Sequence, residues 1–260
     1  MDIDQTASTS MDNNSHKSYG PIAAIVVTIC AFFGAQIIVG LLVGLLPSFT
    51  SWDVARVNLF MEHSAVAKFV VILLVEALSL WILWLFMRSR GVSRQSIGLV
   101  RPEIRDISFA IVGYVGYFLL FFGISLGVKS LIPGLNLDQE QEIGFARGST
   151  GLALWLIFVS LVILPPITEE IMIRGFLYTG LRNKLPKTIA AIIASLVFGA
   201  AHLQIGSGNP LLWVAALDTF VLSMVLIYIR DKTGSLWSPI MIHMMKNGLA
   251  FVLLFMYKVV

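Results

Sequence analysis

Seven stretches of roughly 20 apolar residues recur along this 260-residue chain, near 21–46, 66–87, 107–132, 151–180, 187–205, 211–229 and 236–257. That is the length an α-helix needs to cross the hydrocarbon of a bilayer. Composition agrees: 57% of residues are hydrophobic and 13% charged, whereas soluble domains carry about 25% charged residues. Mean hydropathy is +0.87. The expected fold is all-α, a polytopic membrane bundle of about seven transmembrane helices. Residues 1–19 are polar, include Asp2, Asp4 and Asp12, and lack an apolar segment beside a positive start. They read as a disordered polar tail and not as a secretory signal peptide. The expected division is that tail followed by a transmembrane helical domain over 20–260, with no soluble domain and no internal repeat. The single cysteine, Cys30, excludes an intrachain disulfide.

Charge placement predicts orientation. Arg88, Arg90, Arg94, Arg101 and Arg105 crowd one connection, Arg174, Arg182, Lys184 and Lys187 a second, and Arg230 and Lys232 flank the sixth span. The positive-inside rule assigns these to the cytoplasm, with the N-terminus inside and the C-terminus outside. The opposite connection, 133–150, holds Asp138, Glu140 and Glu142 against Arg147. The Arg-rich face also suits anionic lipid. Two pairs of glycines at small-residue spacing, Gly40 with Gly44 and Gly123 with Gly127, are expected to let helix backbones approach closely.

Polar groups inside the apolar stretches carry the functional argument. Thr168-Glu169-Glu170-Ile171-Met172-Ile173-Arg174 follows the apolar run from Leu152 to Ile167. Each charge in hydrocarbon costs roughly 2.5–3.5 kcal/mol on insertion scales, so such groups face a bundle interior or a wet cavity and have partners. Glu170 and Arg174 are four apart, acid first, and share a helix face. Glu169 is turned away from that pair. Arg174 is therefore expected to hold one acid while the other stays available for chemistry. Pro165-Pro166 predicts a kink or a restarted helix. A restart would put both glutamates near a helix N-terminus, whose dipole favours the carboxylate while burial opposes it.

The fifth stretch ends Phe198-Gly199-Ala200-Ala201-His202, and the seventh contains His243-Met244-Met245-Lys246-Asn247. His243 and Asn247 share a helix face. A carboxylate with two histidines offers two chemistries. One is a zinc site using Glu169, His202 and His243 with a bound water. The other is metal-free, with glutamate activating water and histidine and asparagine stabilising the oxyanion. No His-Glu-x-x-His is present to favour the metal. At 1.5 Å per residue, Glu170 lies about 15 Å, His243 about 10 Å and His202 about 20 Å from the inner ends of their spans. Bringing them together needs tilt or a later start for the fifth helix.

Glu169-Glu170-x-x-x-Arg174, Phe198-x-x-x-His202 and His243-x-x-x-Asn247, in that order on separate spans, resemble the CPBP family of intramembrane proteases, also called the Abi or type II CAAX-endopeptidase family. Gly234-Ser235-Leu236-Trp237 is similar to the family's lead-in to its last motif. The resemblance covers about 107–250. It implies a hydrolase of peptide bonds within the bilayer. Glu169 would activate the water with His202, Glu170 and Arg174 would position the site, and His243 with Asn247 would stabilise the oxyanion. The family has been described as metal-dependent, so zinc stays open beside a metal-free glutamate mechanism.

Glu76, Asp218 and Lys246 are further polar residues within spans. Lys246 could pair with Asp218 or Glu76, or any of the three could line a substrate cavity. The overall expectation is an intramembrane endopeptidase in a bacterial plasma membrane, with the bilayer and a peptide or membrane-protein substrate, prenylated or not, as partners, and no nucleic acid. A proton-coupled transporter and a catalytically idle membrane scaffold are the rival classes. The lack of an inverted repeat weighs against the transporter, and the complete motif set against the scaffold.

Overall fold

The computed structural model describes residues 19–139, 143–204 and 210–258. The expected tail lies outside them except for Tyr19. That residue is packed: its ring stacks on Phe176 at 4.3 Å between centroids and its hydroxyl donates to the Phe176 carbonyl at 2.6 Å.

Among the described residues the regular structure is entirely helical. Six helices are long and apolar enough to cross a membrane: α1 (Pro21–Gly44), α3 (Ala65–Arg90), α4 (Ile104–Leu131), α5 (Gly151–Arg182), α7 (Trp213–Thr233) and α8 (Trp237–Met256). A short helix, α2 (Val54–His63), joins α1 to α3. The expected fifth span is real as a helix but short: α6 (Lys187–Ala201) has 15 residues. It therefore reaches only about 22 Å and ends where His202 leaves helical geometry. The chain is a multi-pass membrane protein; among the described residues six full-length apolar helices and one shorter one pack into a bundle.

Helix ends follow local chemistry. The Asp53 carboxylate accepts from the Arg56 N–H and the Ser64 hydroxyl from the Ala67 N–H, capping α2 and α3. Gly234 ends α7 at φ +70°, a left-handed conformation that glycine adopts without strain. That turn lets the Leu236 N–H donate to the Gly98 carbonyl at 2.9 Å and the Trp237 indole N–H to the Val100 carbonyl at 2.8 Å. Arg230 reaches the Thr179 hydroxyl at 2.7 Å. The three basic connections thus meet at one end of the bundle.

α5 is the axis. Its N-terminal half packs on α3 and α8 and its C-terminal half on α1, while α7 packs along α4, α6 and α8. Phe176, Leu177, Tyr178 and Leu181 centre one core with α1, α3 and α6. Ala110, Tyr117, Leu222 and Ile242 centre a second between α4, α7 and α8. Outward-facing Ile22, Phe33, Trp81, Val112 and Leu119 stay exposed, as expected where lipid is the solvent and each helix satisfies its own backbone.

Of the two outcomes expected at Pro165-Pro166, a kink or a restart, the restart is overturned. α5 neither breaks nor restarts; it runs continuously from Gly151 to Arg182. Wide π-helical turns at Val159–Ile163 and Glu170–Leu177 flank the proline segment. A proline at 165 has no N–H for the carbonyl of Leu161, and its ring needs room. The wider turn supplies the room, and the Asn247 side-chain amide donates to the Leu161 carbonyl at 2.9 Å. Glu169 and Glu170 therefore sit mid-helix, so the dipole of a restarted N-terminus does not act on them.

The glycine expectation is also corrected. A Cβ built on Gly40, Gly44, Gly123 or Gly127 meets nothing within 4 Å. The close approaches occur at Gly113, Gly180 and Gly199. A Cβ on Gly199 would lie 2.9 Å from the Ala216 carbonyl oxygen of α7, and backbone cannot yield as a side-chain tip does. Gly199→Val is expected to destabilise the bundle by about 1–3 kcal/mol through overpacking and to displace His202, three residues on. Thermal unfolding in detergent measures the first effect; an unchanged midpoint would show that α6 tolerates the shift.

Candidate active site

Arg174 is fully buried and its Nη1 donates to Glu170 Oε1 at 2.9 Å, with neither side chain exposed. The expected i, i+4 pair is therefore present. The guanidinium also lies over the Phe198 ring at 4.2 Å from its centroid, a cation–π contact of the kind that strengthens when desolvated. The same Glu170 oxygen accepts from His243 Nδ1 at 2.8 Å. Glu170 is thus consumed twice, by a cation from its own helix and an imidazole from α8. A carboxylate accepts only, so His243 carries its proton on Nδ1 and turns Nε2 the other way.

That way lies Glu169. Its Oε2 is 3.7 Å from His243 Nε2, and its side chain keeps 18% exposure where Glu170 has none. The difference follows from the successive positions of the two acids on the helix. His202, just past the end of α6, donates Nδ1–H to the Phe198 carbonyl at 2.8 Å, since a carbonyl oxygen can only accept. Its Nε2 is left unprotonated in the neutral ring. The Phe198 ring stands edge-on to both histidines, at 4.7 Å from His202 and 5.9 Å from His243.

Glu169 and His202 face two cavities. One, of about 150 Å³, is lined by Glu169, His202, His243, Asn247, Asp218 and Lys246, closed by apolar residues including Leu161 and Phe255. The other, of about 290 Å³, is almost wholly apolar and lies between Phe32 and Phe33 of α1 and Val197, Ala200 and Ala201 of α6. The structure thus brings Glu169, His202, His243 and Asn247 to one small polar cavity. It sets Glu170 and Arg174 behind that cavity. A water touching Glu169 and His243 Nε2 at once is geometrically allowed by their 3.7 Å separation.

The remaining polar residues resolve as follows. Lys246 pairs with Asp218, Nζ to Oδ2 at 2.7 Å, and not with Glu76. The Tyr117 hydroxyl of α4 donates to the other Asp218 oxygen. Tyr117 was missed in the sequence, although a tyrosine mid-span with a polar tip needing a partner is the signal that could have found it. Glu76 lines a separate open groove with Gln36 between α1 and α3.

Two histidines that present Nε2 while donating Nδ1–H to a carboxylate and a carbonyl resemble metal ligands with their supporting shell. The donor types suit zinc. Among the described residues no group of three or more His, Cys, Asp and Glu side chains is already placed to hold an ion. No step below passes through a metal.

Residues 151–249 match the family described as Type II CAAX prenyl endopeptidase Rce1-like. “Putative membrane peptidase YdiL” of Bacillus subtilis (strain 168) is 28% identical over 166 residues, 63% of this chain and 60% of that protein. An “Uncharacterized 24.3 kDa protein” of Escherichia coli is 30% identical over 135 residues, 51% of this chain and 55% of that protein. The chain therefore spans less than two thirds of the length of either relative. No solved structure matches it. The matched segment holds all three motifs, and so over residues 151–249 this chain is similar to the Rce1-like family, in keeping with the CPBP resemblance that those motifs carry.

Proposed function

We propose that this protein is an intramembrane endopeptidase that hydrolyses peptide bonds of membrane-associated peptides or proteins, with Glu169 activating the water. The observation that carries this reading is the division of labour between adjacent acids. Glu170 is spent on Arg174 and His243, while Glu169 faces a polar cavity with the free Nε2 of His243 3.7 Å away. A carboxylate that pairs with no Arg or Lys among the described residues and faces a polar cavity is a suitable general base.

In this mechanism Glu169 takes a proton from water as the oxygen attacks the scissile carbonyl carbon. His202 Nε2 accepts the water's second hydrogen and fixes its lone pair toward the substrate. Glu170 holds His243 in one tautomer and orientation, and Arg174 pairs with Glu170 from the same helix. His243 serves the oxyanion when protonated at Nε2, and Asn247 serves it with the amide hydrogen that Leu161 does not take. Glu169 then returns its proton to the leaving amine. The apolar cavity beside Glu169 and His202 gives the substrate a route from the lipid phase.

The test is cleavage of a quenched-fluorescent peptide panel, prenylated and unprenylated, by detergent-solubilised protein, with His243→Ala alongside and a chelator arm. Turnover in wild type that falls sharply in His243→Ala is the expected result. Equal signal from both proteins would reject the assignment, and sensitivity to chelator would move the mechanism to a metal.

A further inference from the structure

A base-catalysed attack on an amide leaves a negative oxygen that must be met by a preorganised donor, which is commonly the largest single contribution to such catalysis. The expected donors are largely committed elsewhere. His243 and His202 each spend Nδ1–H, on Glu170 and on the Phe198 carbonyl, so in the neutral rings Nε2 is a lone pair. Asn247 spends one amide hydrogen on the Leu161 carbonyl, the one that Pro165 cannot serve.

Lys246 lines the same polar cavity as Glu169, His202 and His243. It lies three residues after His243 on α8 and so on the same helix face. Its Nζ is tethered to Asp218 Oδ2 at 2.7 Å, and Tyr117 fixes the other Asp218 oxygen. An ammonium has three donors, and this residue keeps 22% of its side chain exposed. The Lys246 side chain thus stands at the wall of the polar cavity and is not sealed inside the bundle.

We propose that Lys246 is a further catalytic residue, its ammonium donating a hydrogen bond to the scissile carbonyl oxygen as that oxygen becomes an oxyanion. Asp218 and Tyr117 are its positioning residues. The inference rests on the hydrolase reading. In the step, the water oxygen bonds to the carbonyl carbon, its proton goes to Glu169, and the carbonyl π electrons move to the oxygen that Lys246 meets. Collapse breaks the C–N bond, and the leaving nitrogen takes the proton from Glu169. Lys246 transfers no proton.

The test compares wild type, Lys246→Met, Lys246→Arg and the double variant Lys246→Met/Asp218→Asn on a peptide that wild type cleaves and Glu169→Gln does not. The double variant removes the lone acid that the single variant strands, so it separates folding from catalysis. The expected result is a kcat lower by about 10²–10³-fold in the double variant, with KM little changed and Lys246→Arg retaining part of the rate. Affinity for a tetrahedral phosphinate analogue of the peptide should fall far more than affinity for the peptide itself. Recovery of turnover in the double variant would overturn the proposal, since the pair would then be structural. A loss carried by KM alone would also overturn it and make Lys246 a site for a substrate carboxylate. Loss in Glu169→Gln with normal rates in every Lys246 variant sinks this inference and leaves the hydrolase reading standing; no turnover in wild type sinks both.

Discussion

Glu169→Gln is expected to lower kcat/KM by about 10²–10⁴-fold, the range that a positioned general base contributes, while leaving the thermal unfolding midpoint close to wild type. Glutamine keeps the volume and a hydrogen-bonding head but cannot take a proton. The fold should tolerate it because Glu169 pairs with no Arg or Lys among the described residues: Arg174 is held by Glu170 and Lys246 by Asp218. Glu170→Gln is the control that distinguishes the adjacent acids. It removes the charge that Arg174 and His243 share, so it should lower stability and turnover together. Rates and unfolding midpoints measured on the same detergent preparations decide the matter. Full activity in Glu169→Gln would show that another group activates the water.

The largest effect on stability should come from Arg174→Met. It leaves the Glu170 carboxylate fully buried with only a histidine for company, and breaking a buried pair from one side costs about 3–5 kcal/mol. That is a large share of the stability of a typical domain, about 5–15 kcal/mol, so low expression or unfolding is expected. Arg174→Lys should not restore it. The guanidinium both donates to Glu170 and stacks on Phe198 at 4.2 Å, and a lysine ammonium cannot reproduce a planar stacked donor. The double variant Glu170→Leu/Arg174→Met removes both charges and should regain much of the stability. Its turnover should stay low, because His243 loses the acceptor that fixes its tautomer. A double variant as active as wild type would show that the triad of Glu170, Arg174 and His243 serves packing alone.

Much of this was legible in the amino-acid order. The apolar periodicity marked the helices, because a 20-residue run without charge has few other solutions in a cell. The pairing of Glu170 with Arg174 was legible because i, i+4 contact is a local property of a helix. The capture of Lys246 by Asp218 was one of two offered pairings, and choosing between them needed the packing of α7 on α8. The close glycines were misjudged for a related reason. Small-residue spacing marks a stripe on a helix without saying whether a second helix lies against it, and it was Gly199, outside the chosen pairs, that met the backbone of α7.

The amino-acid sequence by itself determined the helices, the basic clusters of the connections and the three polar motifs, because each depends on residues a few positions apart. Only the tertiary structure decided which nitrogen of each histidine is free, that Glu170 serves His243 as well as Arg174, and that Asn247 repairs the carbonyl orphaned by Pro165. It also decided that Glu169 stands between an apolar cavity and a polar one. These contacts join residues 4 to 86 positions apart in the chain. They exist because buried polar groups in hydrocarbon must find partners wherever packing brings them, and packing is a property of the whole bundle.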